Sequence, residues 1–70
     1  MIKYKIDVLT ALKNKGISSY VIRQKKLLSE GTLTKLRNND ASITFDTINT
    51  ICNLLKCDIF DIIEFIPDNE

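Results

Sequence analysis

The chain has 70 residues, two cysteines and no histidine, and its formal net charge is +1. A chain this short predicts one small domain, residues 1–70, with a thin core, because it buries only about 60% of the surface that the unfolded chain exposes. Two thiols without histidine fit neither a disulfide framework nor a four-ligand zinc site, and no apolar run is long enough for a membrane span. We therefore expect no cofactor, no membrane association and a reduced, cytoplasmic setting.

The charges are divided between the two halves of the chain. Residues 1–40 contain nine cations and three anions, a net +6, whereas residues 41–70 contain one cation and six anions, a net −5. This division predicts a basic face for a polyanion and a separate acidic end with another role. The alternative, charges spread over ordinary solvated faces, stays open.

The apolar residues recur at helical spacing along the chain, and no segment shows a convincing strand alternation. Ser18, Ser29, Thr44 and Asp58 are suitable N-caps, and Gly16 supplies a left-handed residue that ends the first helix. The pattern predicts an all-α domain of five short helices. They span residues 5–14, 18–26, 29–37, 44–56 and 58–64.

The fourth helix has the clearest amphipathic pattern, with apolar residues at intervals of three and four. We expect this stripe, formed by Phe45, Ile48, Ile51, Cys52 and Leu55, to face the core. A thiol on such a stripe behaves as a small hydrophobe. Cys57 precedes Asp58, whose charge raises a thiol pKa, so neither cysteine is expected to be a nucleophile.

The second and third helices have the arrangement that places the second member of the pair in a DNA major groove. The turn between them, KLLS, is short, and the apolar positions needed to pack the pair against the core are present. These positions are Ile22, Leu28, Leu33 and Leu36.

The stretches VIRQKKLLSEGTLTKL and ITFDTINTICNLLKCDIFDIIEFIPD, in this order, resemble the Cro/CI-type (XRE) helix-turn-helix repressors of bacteria and phages. The resemblance covers about residues 4–68 and implies a five-helix lambda-repressor-like fold that binds double-stranded DNA. Two residues depart from the family pattern. Leu27 stands where a glycine with positive φ is usual, and Arg23 stands where a small residue is usual, so the long Arg23 stem must reach outward.

The resemblance implies two groups of DNA contacts. The start of the third helix reaches base edges, where Lys35 can donate to guanine, Glu30 can accept from cytosine N4 and the Thr32 methyl can touch thymine. The expected base-contacting residues are Glu30, Gly31, Thr32 and Lys35. The expected contacts to the sugar-phosphate backbone are Ser19, Tyr20, Thr34, Arg37, Asn38 and Asn39. For each of them, the alternative is an ordinary exposed helix residue.

The tail DIFDIIEFIP has six large apolar residues in ten, more than one face of a short helix can bury. It predicts a homodimer interface at Phe60, Ile62, Phe65 and Ile66, although these residues can also simply complete a thin core.

The leading functional interpretation is a sequence-specific transcriptional regulator of bacterial or phage origin. We expect it to be a repressor that acts as a dimer on a two-fold operator. A protein-interaction module, an antitoxin or adaptor that uses the apolar tail, is the alternative. No nucleophile, base or metal set can be assembled, so an enzyme is not expected, and no small-molecule ligand is indicated.

Overall fold

The computed structural model of the protein describes residues 1–68. The elements in chain order are β1 (Ile2–Tyr4), α1 (Val8–Asn14), α2 (Ser19–Gln24), α3 (Glu30–Arg37), α4 (Phe45–Leu55), a 3₁₀ helix (Ile59–Asp61) and β2 (Ile63–Phe65). The two strands form one antiparallel sheet. Over residues 1–68, no helix combines the length and the hydropathy needed to cross a bilayer.

Each α-helix begins at a side chain that caps its first turn. In all four, the side-chain oxygen of the cap accepts a hydrogen bond from the backbone amide three residues further on, which satisfies an amide that the helix leaves unpaired. The caps are Asp7, Ser18, Ser29 and Thr44. The sequence predicts the last three but not Asp7, so α1 begins at Val8 rather than at Lys5.

Each α-helix is followed, within two residues, by a residue with positive φ. The amide of the residue after it donates to the carbonyl oxygen five positions earlier, at 2.8–3.1 Å, which is the Schellman pattern. The positive-φ residues are Gly16, Lys26, Asn39 and Lys56. In the turn between α2 and α3 the left-handed conformation therefore falls on Lys26 and not on Leu27, so the turn is displaced by one residue from the expected position.

The core collects apolar side chains from all four α-helices and from the segment that follows the 3₁₀ helix. Its buried members are Val8, Leu12, Ile22, Leu33, Leu36, Ile48, Ile51, Leu55 and Ile62. The predicted contribution of Phe45 is wrong, because its side chain is 86% exposed and the buried stripe of α4 starts one turn later, at Ile48.

The predicted fifth helix over residues 58–64 is not confirmed, and the fold is mostly helical with one small two-stranded sheet. One turn of 3₁₀ helix forms, in which the Asp58 amide donates to Asp61 Oδ2 at 3.0 Å, and the chain then becomes extended. Strand β2 pairs with β1 in the register Ile2–Phe65, Lys3–Glu64 and Tyr4–Ile63. The pairing compensates the backbone polar groups of the tail, and a partner so distant along the chain leaves no local signal in the sequence.

Candidate nucleic-acid interface

Helix α3 is held by its apolar side and leaves its polar side exposed. Leu33 is fully buried and Leu36 is 4% exposed, and both belong to the core cluster that also contains Ile22 of α2. The remaining positions of α3 stay at the surface. Glu30, Gly31, Thr34 and Arg37 are exposed, and Thr32 and Lys35 are half-buried. The pair α2–α3 therefore presents one polar helix face on a fixed support.

The hydroxyl groups at the start of α3 are used within the helix. Ser29 Oγ accepts from the Thr32 amide at 3.1 Å and donates to Thr32 Oγ1 at 2.9 Å. Thr34 Oγ1 donates to the Glu30 carbonyl oxygen at 3.0 Å. A threonine hydroxyl has one proton, so Thr34 must give up this bond before it can donate to a phosphate.

Glu30 and Arg23 form an ion pair across the turn between α2 and α3. Arg23 Nε donates to Glu30 Oε1 at 2.6 Å, and the two side chains are 47% and 68% exposed. The outward course expected for the Arg23 stem is thus observed, and its guanidinium lies against the acid that opens α3.

Gly31 lies in open space on the protein surface. It has no left-handed φ, and a Cβ atom added to it would meet only Ser29 Oγ, at 3.9 Å. Neither the backbone conformation nor the packing of the domain therefore requires glycine at this position.

Lys35 is directed at the loop that follows α3. Its Nζ donates to the Ser42 carbonyl oxygen at 2.7 Å, so a contact with a guanine base would require this side chain to leave the loop. Asp40 accepts from the Ser42 amide and hydroxyl at 2.9 and 2.6 Å. These two hydrogen bonds, the hydroxyl first, hold the pKa of Asp40 below its ordinary value, with a smaller contribution from the Lys35 charge.

The same loop is tied to the N-terminal strand. The Tyr4 hydroxyl donates to the Asp40 carbonyl oxygen at 2.7 Å. Burial raises the pKa of Tyr4, and the charge of Asp40 raises it further. The loop is thus bonded to α3 on one side and to β1 on the other. This arrangement fixes the course of the backbone just after Arg37, Asn38 and Asn39.

The residues expected to contact the DNA backbone lie at two places on this surface. Arg37, Asn38 and Asn39 are exposed at the end of α3, where the Asn38 amide donates back to the helix and Asn39 has a φ of 57°. At the start of α2, Tyr20 is 69% exposed and Ser19 is half-buried.

Two lysines that the sequence analysis does not assign lie beside this loop. Lys3 and Lys5 line a shallow cleft together with Asn39, and Tyr4, Ile6 and Asp7 complete it. The signal that could have found them is the alternation of charged and apolar residues in IKYKI, which is too short to identify a strand by itself but places both lysines on one side of an extended segment.

The two thiols of the C-terminal half lie next to each other and to carboxylates. Burial raises the pKa of the Cys57 thiol, and the neighbouring Cys52 and Asp61 add to this effect. A raised pKa disfavours the thiolate, the reactive form. Among residues 1–68, no group of three or more His, Cys, Asp or Glu side chains is placed to hold a metal ion.

The family model of the Cro/C1-type HTH DNA-binding domain matches residues 5–68, from the cation after β1 to the end of the described chain. The chain belongs to this family. No curated protein and no solved structure matches it significantly. The match covers α2 and α3, the two helices that the sequence predicts to form the helix-turn-helix.

The C-terminal segment of the Cro/C1-type domain and strand β1 expose large apolar side chains. Phe60 is 72% exposed and Phe65 is 68% exposed, while Ile2, the cross-strand neighbour of Phe65, is 55% exposed. Ile66 is half-buried. Ile62 is fully buried in the core of the monomer. Its side chain is therefore not available to a second chain, and it cannot be part of the predicted dimer interface.

Proposed function

We propose that this Cro/C1-type domain is a sequence-specific regulator of transcription that binds double-stranded DNA with α3 in the major groove. The observation that carries the proposal is the orientation of α3. Leu33 and Leu36 fix it to the core, while Glu30, Gly31 and Arg37 remain exposed on a domain of a DNA-binding family. A helix fits the width of the major groove, where each base pair presents a distinct pattern of donors and acceptors.

Within this proposal the first turn of α3 reads the bases. The carboxylate of Glu30 accepts from cytosine N4, the Thr32 methyl contacts a thymine methyl, and Gly31 allows the backbone to approach the DNA closely. Lys35 donates to guanine O6 and N7 after its hydrogen bond to the Ser42 carbonyl oxygen is broken.

The end of α3 and the start of α2 hold the sugar-phosphate backbone. Arg37, Asn38 and Asn39 lie at the end of α3, beside a loop that is bonded to both α3 and β1, and this support favours a fixed register on the duplex. Tyr20 contributes its exposed hydroxyl at the start of α2. Ser19 and Thr34 complete the proposed backbone contacts.

We propose further that the regulator is a homodimer that binds two half-sites about 34 Å apart, one turn of DNA. Phe60, Phe65 and Ile66 supply the contact between the two copies. It acts in the cytoplasm of a bacterium or on phage DNA, and it represses transcription by covering DNA that the polymerase needs.

The salt dependence of binding to a random-sequence duplex tests this function. If each monomer neutralises four to six phosphates, the logarithm of the association constant falls with the logarithm of salt concentration at a slope of about −4 to −5 per monomer. Arg37→Ala should make the slope less negative by about one. Lys13→Ala, which removes an exposed cation outside the proposed contacts, is the matched control. Undetectable binding at low salt, or affinity that does not change with salt, would exclude the DNA function.

A protein-interaction module is the second candidate function, and the exposure of Phe60, Phe65 and Ile2 favours it. In that case the apolar surface binds an unrelated protein and the domain shows no salt-dependent affinity for DNA. The salt series therefore separates the two candidates.

A further inference from the structure

Arg23 has no role in the contacts proposed above, although it makes the one described ion pair between α2 and α3 in residues 1–68. We propose that Arg23 is a positioning residue for base recognition. It neutralises Glu30 at the head of α3, fixes the direction of the carboxylate, and offers its remaining N–H groups to a DNA phosphate. This inference rests on the proposed DNA-binding function.

The ion pair has little value for folding. Both side chains are about half exposed or more, and exposed ion pairs contribute little to stability because solvent screens them and both side chains lose rotamer freedom. The cap on α3 is already supplied by Ser29, which accepts from the Thr32 amide. The main effect of the Arg23–Glu30 pair is therefore on the electrostatic potential at the exposed surface of α3.

An acid at the head of a recognition helix has opposing effects. The negative charge of Glu30 is favourable at a helix N-terminus, but it repels the phosphates on both sides of a major groove. The Arg23 guanidinium cancels this charge at a distance of 2.6 Å, so Glu30 can approach DNA without a net repulsion.

Glu30 and Arg23 each keep polar atoms that their ion pair does not use, and these atoms suit a contact with a base and a contact with a phosphate. Glu30 uses only Oε1 within residues 1–68, so Oε2 remains available to accept from cytosine N4. Arg23 uses only Nε in that range, so its two Nη groups remain available for phosphate oxygens. Because the guanidinium is a rigid planar fork, one phosphate contact would also fix the orientation of the carboxylate.

The test is a double-mutant cycle of Arg23→Gln, Glu30→Gln and the double variant. The probes are a random duplex and the tightest duplex selected by the wild type from a random pool, with substitutions at its cytosines. In the wild-type background, Glu30→Gln frees the charge of Arg23 but also removes the contact that orients its guanidinium, so random-duplex affinity should rise less than it does in the Arg23→Gln background. In the Arg23→Gln background, the same change should restore affinity by about three- to tenfold.

Arg23→Lys separates positioning from charge. It should keep random-duplex affinity within about threefold of wild type, because the cation is retained, and should lose the preference for cytosine, because an ammonium does not hold the carboxylate in one plane. Lys25→Gln, which removes a nearby cation with no described partner in residues 1–68, is the matched control for Arg23→Gln. Thermal unfolding of each variant establishes that it is folded.

The outcomes distinguish failure of the proposed DNA-binding function from failure of the proposed role of Arg23. If the wild type binds no DNA, the proposed function fails and this inference fails with it. If the wild type binds DNA but Glu30→Gln has the same effect with and without Arg23, the two residues act only through net charge and the inference alone is overturned. Retention of the cytosine preference in Arg23→Lys would also overturn it.

Discussion

At the scale of single residues, the first turn of α3 contains a glycine that the fold does not need. Gly31 has no left-handed φ and has room for a Cβ atom, whereas Gly16 ends α1 with a φ of 83°. Glycine in a helix is less favourable than alanine, because glycine has more backbone freedom in the unfolded chain and loses it on folding. We therefore propose that glycine at this position serves ligand binding, because it allows the backbone to approach DNA closely.

Gly31→Ala is predicted to raise the stability of the domain and to lower its affinity for DNA. The stability gain should be about 0.5–1 kcal/mol, since alanine fits the backbone and the space. Gly16→Ala is the contrasting variant, which should lose about 1 kcal/mol because its φ is left-handed and should leave the DNA affinity of the folded protein unchanged. Urea unfolding and duplex titration measure the two quantities. Wild-type DNA affinity in Gly31→Ala would contradict the close approach.

Tyr4 makes the stability of the domain sensitive to alkaline pH. Burial, and secondarily the charge of Asp40, raises the pKa of Tyr4, and its proton is donated to the Asp40 carbonyl oxygen. A raised pKa means that the unfolded chain loses this proton first. The contribution of Tyr4 is therefore complete below the ordinary tyrosine pKa of about 10 and is lost as pH rises through the folded value.

Tyr4→Phe should accordingly reduce the fall in unfolding free energy between neutral and strongly alkaline pH. Part of the fall should remain, because the raised pKa of Cys57 acts in the same direction. Tyr20→Phe, which removes an exposed hydroxyl without a described hydrogen bond in residues 1–68, is the control. Urea midpoints across the pH series provide the measurement. An identical pH dependence in wild type and Tyr4→Phe would be inconsistent with this role.

At the scale of elements, the starts of α2, α3 and α4 could be predicted from their caps, whereas the start of α1 could not. Ser18, Ser29 and Thr44 cap α2, α3 and α4 as their sequence predicts, because a cap is a local hydrogen bond between a short side chain and a nearby amide. The position of the left-handed residue in the turn between α2 and α3 could not be predicted. Lys26, rather than Leu27, has the positive φ, since a lysine can extend into solvent from that position while Leu27 packs against the core.

Lys26→Gly is predicted to stabilise the domain by about 0.5–1 kcal/mol, because glycine adopts the left-handed conformation without a clash of Cβ. Lys25→Gly removes the same charge one residue earlier, where the backbone is right-handed, and should not stabilise. Chemical denaturation of the two variants provides the comparison. Equal effects would mean that charge, and not backbone conformation, determines the result.

At the scale of the whole molecule, the apolar tail has a different structure from the one its composition suggests. Spacing at 58–64 resembles a helix for a single turn, but Ile62 enters the core and the next residues pair with β1. Both strands are short and far apart in sequence, so no local pattern identifies either as a partner. The positions of the base-contacting candidates on α3 could be predicted, whereas the bonds of Lys35 to the loop and of Arg23 to Glu30 could not, because they join different segments.

The exposed apolar residues of the tail predict where a second copy binds. Phe60→Ser with Phe65→Ser should weaken self-association at least tenfold without loss of helix, because each change removes an exposed ring from the proposed contact and none from the core. Phe45→Ser removes an even more exposed ring that is not part of the proposed contact and is the control. Sedimentation over a concentration series measures the equilibrium. Dissociation caused by Phe45→Ser, or by neither variant, would place the interface elsewhere.

The central claim is that the exposed face of α3 reads base sequence. Selection of bound duplexes from a random pool tests it most directly, with wild type, Lys35→Ala and Arg37→Ala compared in parallel. We expect the wild type to enrich a two-fold symmetric motif with half-sites one turn apart. Lys35→Ala should relax one position of that motif, and Arg37→Ala should weaken binding to all sequences alike. A wild-type pool with no enriched sequence, or two variants that lower affinity equally for every sequence, would contradict the account.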